Sequence, residues 1–281
     1  MEKTKSSLLG SKKYIASSQW NGNYYATHSD WQFRIADIAL SQLQIPSNAK
    51  ILDIGCGDGR FTKHLANLAP NCEILGLDPS VSMLSTAQNN IASNVSFVLG
   101  DAMDLPFVNQ FDRIVAFNSL HWVSEIKVAL KQVDKALLPG GQVLILVAPI
   151  QVRHPIHKII DEVAKRDCWR TYFDGESSVF HFFSCAEWAS LIEEAGLIPE
   201  KLQLIDASLD YKSIKEFSDS LKSWIPFGTI PEDKRDVYVR DIVEAYIQIT
   251  PCSPQGTVYY HIDELLILAS KQNLVEHRTY S

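Results

Sequence analysis

Three acidic residues, each following a short apolar run, are the first side chains in this sequence that could do chemistry: Asp53, Asp78 and Asp101. Asp53 leads into Ile54-Gly55-Cys56-Gly57-Asp58-Gly59-Arg60-Phe61. Alternate glycines let a backbone turn sharply and approach a ligand that side chains would hold away, and helical spacing resumes at once with Phe61, Leu65 and Leu68. A strand, a glycine loop and a helix N-terminus in that order aim free amides at whatever lies above the strand, which suits a nucleotide-like cofactor. Asp78 stands 19 positions past Gly59, where an acid can accept hydrogen bonds from both hydroxyls of a ribose. Its plainer reading is a turn or capping acid beside Pro79 and Ser80. A dinucleotide fingerprint would put its third glycine or an alanine at position 60, which is Arg60, so the spacing argues against NAD.

A second group of candidates is Phe117-Asn118-Ser119-Leu120-His121-Trp122, at the end of a fourth apolar run. His121 can accept a proton and Trp122 can donate an indole N–H, so the pair could face a substrate. Core packing for the Trp and a structural hydrogen bond for the His are the competing readings.

These residues need a frame that brings strand ends together. Apolar runs at 51–54, 73–78, 95–99, 113–117 and 143–148 alternate with helical patterns: Leu84, Ala87 and Ile91 after a Ser80 N-cap, and Ile126, Leu130, Val133 and Leu137 after a Ser124 cap, stopped by Pro139-Gly140-Gly141. Five strands alternating with helices predict an α/β fold with a doubly wound parallel sheet, whose ligands bind at the strand carboxyl ends. A helix around Phe33–Leu43 precedes the sheet, and a capping box of Ser184 and Glu187 opens another that ends at Gly196. Residues 202–209 and 264–270 read as two further strands. Between them lies an insertion too long for a hairpin, with a second capping box at Ser213 and Glu216, then Pro226 and Gly228, then a helix starting near Pro231. We read it as a lid.

Asp53-Ile54-Gly55-Cys56-Gly57-Asp58-Gly59 resembles motif I of class I S-adenosylmethionine-dependent methyltransferases, and Gly100-Asp101-Ala102 resembles the motif whose acid takes the adenine amino group. The resemblance implies a Rossmann-like, mostly parallel seven-stranded sheet with an antiparallel last strand, and S-adenosyl-L-methionine as cofactor. It also implies a cofactor site of Asp53, Gly55, Cys56, Gly57, Gly59, Asp78, Pro79, Asp101, Ala102 and Asn118. More narrowly, Tyr25 to Gln32, Leu120-His121-Trp122-Val123, and the stretch from Ser220 to Phe227 followed by Ile230-Pro231-Glu232 resemble insect juvenile hormone acid methyltransferases and, more loosely, trans-aconitate methyltransferases. In those enzymes a glutamine and a tryptophan hold the substrate carboxylate, which implies Gln32 and Trp122 here, with His121 beside them. Aromatic residues at Trp169, Tyr172, Phe173, Trp224 and Phe227 then suggest a mostly hydrophobic acid, and the same residues also fit plain packing. The alternatives are another small-molecule or thioester-borne acceptor such as a malonyl carrier, which would want a basic docking patch, and a non-catalytic cofactor-binding scaffold, whose glycines or acids should be eroded.

The chain of 281 residues is 46% apolar and carries a net charge of -7. Its basic residues are scattered apart from Arg153, His154, His157 and Lys158, read as a solvated turn, so nucleic-acid binding is not expected. Five cysteines without a C-x-x-C pair fit a reducing compartment, no metal site is expected, and neither a signal segment nor an apolar run of the ~20 residues a membrane span needs is visible. A cytoplasmic enzyme with no membrane span is the expectation. Residues 1–281 are read as one domain: a helical cover at 1–46, a cofactor-binding core at 47–148, an irregular substrate-side insertion at 149–183 and the helical lid at 213–250.

Overall fold

The computed structural model describes residues 21–149, 155–173 and 182–273. The first 20 residues of the expected cover, Arg153 and His154 of the basic cluster, and parts of the 149–183 insertion lie outside the described residues.

Strands β1 (Lys50–Ile54), β2 (Glu73–Asp78), β3 (Val95–Leu99), β4 (Phe111–Phe117) and β5 (Leu137–Val147) pair in parallel. Further along the chain come β6 (Leu197–Asp206), β7 (Leu209–Tyr211), β8 (Val258–Tyr260) and β9 (Asp263–Lys271). β9 is antiparallel to both β5 and β6, giving a seven-stranded sheet of order β3-β2-β1-β4-β5-β9-β6, while β7 and β8 form a separate two-stranded ribbon. The chain order reverses beside β1, so the ends of β1 and β4 flank the crevice where such sheets bind ligands.

Alternation along the strands builds a core on each face. Ile51, Leu144 and Leu146 point to one side, where α2 (Asp30–Leu40), α3 (Arg60–Leu68) and α6 (Ile156–Ala164) supply Ile35, Leu65 and Ile160. Leu52, Ile54, Val143, Ile145 and Val147 point to the other, against Leu130 and Val133 of α5 (Ile126–Ala136) and Trp188 of α7 (Cys185–Glu194). Burial on both faces is why the central strands read as continuous apolar runs.

Local signals held in some places and gave way in others. Ser80 caps α4 (Val81–Ala87) by accepting from Met83 N at 3.3 Å, and Ser184 and Glu187 form the full box at α7. Ser213 accepts from Glu216 N at the start of α8 (Ile214–Trp224), whereas the Glu216 carboxylate takes Lys212 N. Ser124 does not cap α5: its hydroxyl faces Met103 Sδ, and Glu125 occupies the cap position. Pro139-Gly140-Gly141 lies inside β5 as an irregularity in the ladder. β6 begins at Leu197, five residues before the expected start, directly after Gly196. Pro199 disguises that strand, and an edge strand can hold it with a register shift between Pro199 and Lys201.

Two elements cover the carboxyl ends of the sheet. Helix α1 (Gly22–His28) rests on α4, where a Cβ on Gly22 would lie 2.4 Å from Thr86 Oγ1. Helix α8 touches α1 through Tyr24 Oη donating to Asp219 O, and α9 (Glu232–Ile249) packs behind it with Tyr238, Ile242 and Tyr246 buried.

Candidate active site

Backbone hydrogen bonds tie the glycine loop to its neighbour strand. Gly55 N and Cys56 N both donate to Leu77 O, at 2.7 and 3.1 Å. A side chain on Gly55 would strike Ser119 Cβ at 2.3 Å, and one on Gly59 would strike Phe97 at 2.6 Å, so these two glycines serve tight packing. Gly57 differs. With φ +55, the Cβ it lacks would meet only Tyr25 Cε1, at an ordinary contact distance of 3.8 Å. Its N–H donates to Asp78 Oδ2 at 2.9 Å while Ser80 N donates to Asp78 Oδ1 at 2.8 Å. Burial pushes the Asp78 carboxyl up to about 6, against the pull of those two donors.

A cleft opens over the loop, about 750 Å³ including the solvent space at its mouth. Gly55, Gly57, Asp78 and Asn118 form its polar side, and Leu77, Pro79, Met83, Ala102 and Leu120 its apolar side. A second cavity lies toward α2, bordered by Gln32, Asp53, Cys56, Asp58 and Arg60. There Thr62 Oγ1 donates to Asp53 Oδ2 at 2.6 Å, and burial raises the Asp53 carboxyl to about 7 despite that bond. A third cavity lies over β4, β5 and β9, bordered by Gln32, His121, Trp122, His157, Trp224, Tyr260 and Glu264. Tyr25 and Asn118 border all three. Asn118 has φ +51, a conformation asparagine tolerates better than most residues, and its buried Nδ2 has no hydrogen-bond partner among the described residues.

A family model described as "Methyltransferase domain" matches residues 51–141. The trans-aconitate 2-methyltransferase of Deinococcus radiodurans is 26% identical over 269 residues, covering 91% of this chain and 99% of that protein. The trans-aconitate 2-methyltransferase of Variovorax paradoxus is 32% identical over 151 residues, covering 53% of this chain and 58% of that protein. Phosphoethanolamine N-methyltransferase 2 of Haemonchus contortus, solved with S-adenosyl-L-methionine, shares the fold with a TM-score of 0.60 at 15% identity, covering 92% of this chain and 59% of that one. The chain is an S-adenosylmethionine-dependent methyltransferase, with a methyltransferase domain at residues 51–141.

Two features of this methyltransferase suit its cofactor: the room left by the absent Gly57 side chain, and the buried, unpartnered Nδ2 of Asn118, a residue that borders all three cavities. The residues singled out in the sequence fall into three places. Gly55, Gly57, Asp78, Pro79, Ala102 and Asn118 line the main cleft. Asp53 and Cys56 border the cavity beside it. Gly59 and Asp101 line none of the three cavities; the Asp101 carboxylate accepts from Met103 N at 2.8 Å and so shapes the turn that presents Ala102. Gln32 from α2 and Trp122 from the 3-10 turn after β4, separated by 90 positions, meet at the third cavity with His121.

Of the aromatic cluster, Trp224 reaches that cavity. Trp169 instead donates from Nε1 to Asp241 at 2.8 Å, and Phe173 and Phe227 pack on Tyr238, so these are the seam between α6 and α9. His157 and Glu264 are site-lining residues that the motifs did not supply, and Tyr25, the first residue of a recognised segment, lines the site although no role was assigned to it. His157 packs at a tilt against Phe182 and edge-on against Trp224, not in a solvated turn, while Lys158 stays exposed. An acid opening the run Leu265-Leu266-Ile267-Leu268 was the available sign of Glu264.

Proposed function

We propose that this methyltransferase O-methylates the carboxylate of a small, mostly hydrophobic acid. The observation that carries the reading is the convergence of Gln32 and Trp122 on a cavity that adjoins the cofactor cleft at Asn118. The Gln32 side chain is buried, with Oε1 lacking a partner among the described residues, and a half-turn of the amide puts the Nε2 donor in that place, where a carboxylate can accept from it. Trp31, Trp122, Trp224 and Ile262 supply apolar walls. The Deinococcus radiodurans relative, which spans nearly the whole chain, is named for trans-aconitate, itself a carboxylate.

In this reading residues 47–148 are the cofactor-binding core. Asp78, steadied by the Gly57 N–H, accepts from the ribose, Gly57 gives room by lacking a side chain, Asn118 Nδ2 donates at the boundary with the acceptor, and Asp53 orders the loop through Thr62. The cofactor supplies an electrophilic methyl group on a sulfonium. A carboxylate is ionised at neutral pH and needs no base to attack, so the chain's task is alignment, which supplies ~7–11 kcal/mol in favourable cases. Gln32 and Trp122 orient the carboxylate as neutral donors, without an opposite charge that would over-stabilise the ground state. Residues 213–250 act as a lid carrying Trp224 over the acceptor. The enzyme is placed in the cytoplasm, which suits five free thiols; among the described residues no helix is long and apolar enough to cross a membrane.

One observation favours a second reading, an acceptor whose nucleophile carries a proton: Glu264 in the third cavity is a carboxyl that could serve as a base. The test is to screen hydrophobic and tricarboxylic acids with methyl-labelled cofactor. A base-labile methyl ester is the expected product, and a base-stable N-, C- or ether-linked product would overturn the carboxylate reading.

A further inference from the structure

Glu264 occupies an unusual position for an acid. It opens the buried part of β9, 2% exposed, opposite Ile205 of β6 and followed by the core residues Leu265, Leu266 and Ile267. Its Oε2 has no hydrogen-bond partner among the described residues. The cavity it borders is the one bordered by Gln32 and Trp122. Burying an unpaired carboxylate is so costly that the group keeps its proton instead. Here burial alone raises it to about 8.

The titratable groups facing that cavity are Tyr25 from α1, His121 from the turn after β4, His157 from α6 and Tyr260 from β8. Burial raises both tyrosines, so they stay neutral and offer no cation. Among the described lining residues there is no lysine or arginine. A carboxylate acceptor would therefore meet a second carboxyl group, and two such groups side by side share one proton because both cannot ionise.

Resting on the carboxylate reading above, we propose that Glu264 is a recognition residue for the acceptor: as the neutral acid it donates a hydrogen bond to the carboxylate oxygen that does not attack. Gln32 and Trp122 hold the same carboxylate from the other side of the cavity. The attacking oxygen forms its bond to the methyl carbon as the carbon–sulfur bond breaks, and the proton remains on Glu264 throughout. The reaction thus consumes no base. A neutral ester product leaves Glu264 without its strong acceptor, which favours release, since hydrogen bonds to charged groups are roughly twice as strong as neutral ones.

The experiment measures kcat/KM of the full chain from pH 6.5 to 9.5 on an acid it converts to an ester, for the wild type, E264Q and E264A. Cofactor affinity by calorimetry checks that each variant is folded. The wild type should lose activity by about tenfold per pH unit above roughly 8, as the donor ionises. E264Q keeps a neutral donor, so the fall should vanish while kcat/KM at pH 7 stays within about threefold of wild type. E264A should lose about 10- to 100-fold at pH 7. An E264Q as poor as E264A, with a wild-type rate that rises toward pH 8, would make Glu264 a base and overturn the proposal. So would three matching pH profiles. If an ester forms in either case, the carboxylate reading stands while this one fails; a base-stable product removes both.

Discussion

The cleft over Gly57 and the cavity beside Glu264 share Tyr25, Asn118 and Trp122, yet they are built from different materials. Apart from Tyr25, the cleft draws on residues 54–123, and its shape comes from backbone: a glycine loop tied to Leu77 O, two amides on Asp78, an asparagine in the left-handed region. The cavity collects side chains from residue 25 to residue 264, contributed by α1, α2, α6, α8, β8 and β9. A cofactor shared by a whole family can be met by turns with fixed geometry. An acceptor that differs between enzymes is met by exchangeable side chains on elements far apart in the chain.

The comparison breaks most decisively at the loop. Gly57→Val places a branched side chain in the cleft at a residue with positive φ, and cofactor affinity should fall by roughly 100-fold or more. Gly55→Ala should behave otherwise, lowering thermal stability through its clash with Ser119. Calorimetry and melting of the two variants separate ligand space from packing. Equal cofactor affinity in Gly57→Val and wild type, with the fold intact, would remove the cleft from the cofactor.

On the acceptor side the effects should be smaller and should spare the cofactor. Under the proposed carboxylate clamp, Gln32→Ala and Trp122→Phe would each remove one hydrogen bond to a charged group, worth ~1.5–3 kcal/mol, so kcat/KM should drop roughly 10- to 150-fold. Affinity for the cofactor should move by less than about threefold, because Trp122→Phe keeps the ring that borders the cleft. Wild-type rates in both variants would dissolve the distinction between the two regions.

The difference in materials also explains what could be read from the sequence. Glycine spacing and acids at strand ends are local patterns, so Asp53, Gly57 and Asp78 could be placed before any coordinates. The parallel strands, buried on both faces, announced themselves as apolar runs. Glu264 opens an apolar run, but that pattern assigns it no role; its meaning depends on which side chains α2, α6 and α8 bring opposite it. Tyr25 lay in a recognised segment, but its place over Gly57 follows from α1 packing on α4 through Gly22, a long-range contact. Trp169, Phe173 and Phe227 erred in the other direction, because aromatic content alone does not tell a pocket wall from the seam under α9.

Both regions store titratable cost, and a pH series sharpens the contrast. Burial raises Asp53, in the cavity that adjoins the cleft toward α2, to about 7 and Glu264 to about 8. A folded-state value above the unfolded one means that the stability is fully present below about pH 4 and is lost as pH rises through the folded value. The protein without ligand should therefore weaken on going from pH 5.5 to 8.5. Glu264→Gln should remove on the order of 2 kcal/mol of that loss, measured by urea unfolding at both ends. Asp53→Asn should shift the curve chiefly below pH 7, at some cost to the Thr62 bond. A wild-type stability that is flat over this range would mean that neither carboxyl is held neutral.

The smallest expected effect is motion of the 213–250 segment. Trp224 at the end of α8 borders the acceptor cavity, and Pro226 and Gly228 follow it, so a closing lid would bend there. Gly228 is already wedged in this structure: a Cβ would lie 2.3 Å from Tyr172 O, and Thr229 N donates to the same carbonyl at 2.8 Å. A closing lid would therefore bend at residues 225–227 and move only the α8 part of the 213–250 segment, with α9 held in place by the burial of Tyr238 and Tyr246. Hydrogen exchange should show α8 amides slowing on the order of tenfold when cofactor and acid are both bound, with α9 unchanged and with little effect of cofactor alone. Cofactor binding alone would then order the cleft, and acceptor binding would order the cover. Equal exchange of α8 in the free and ternary states would leave the acceptor cavity preformed, and the two regions would then differ in composition but not in mobility.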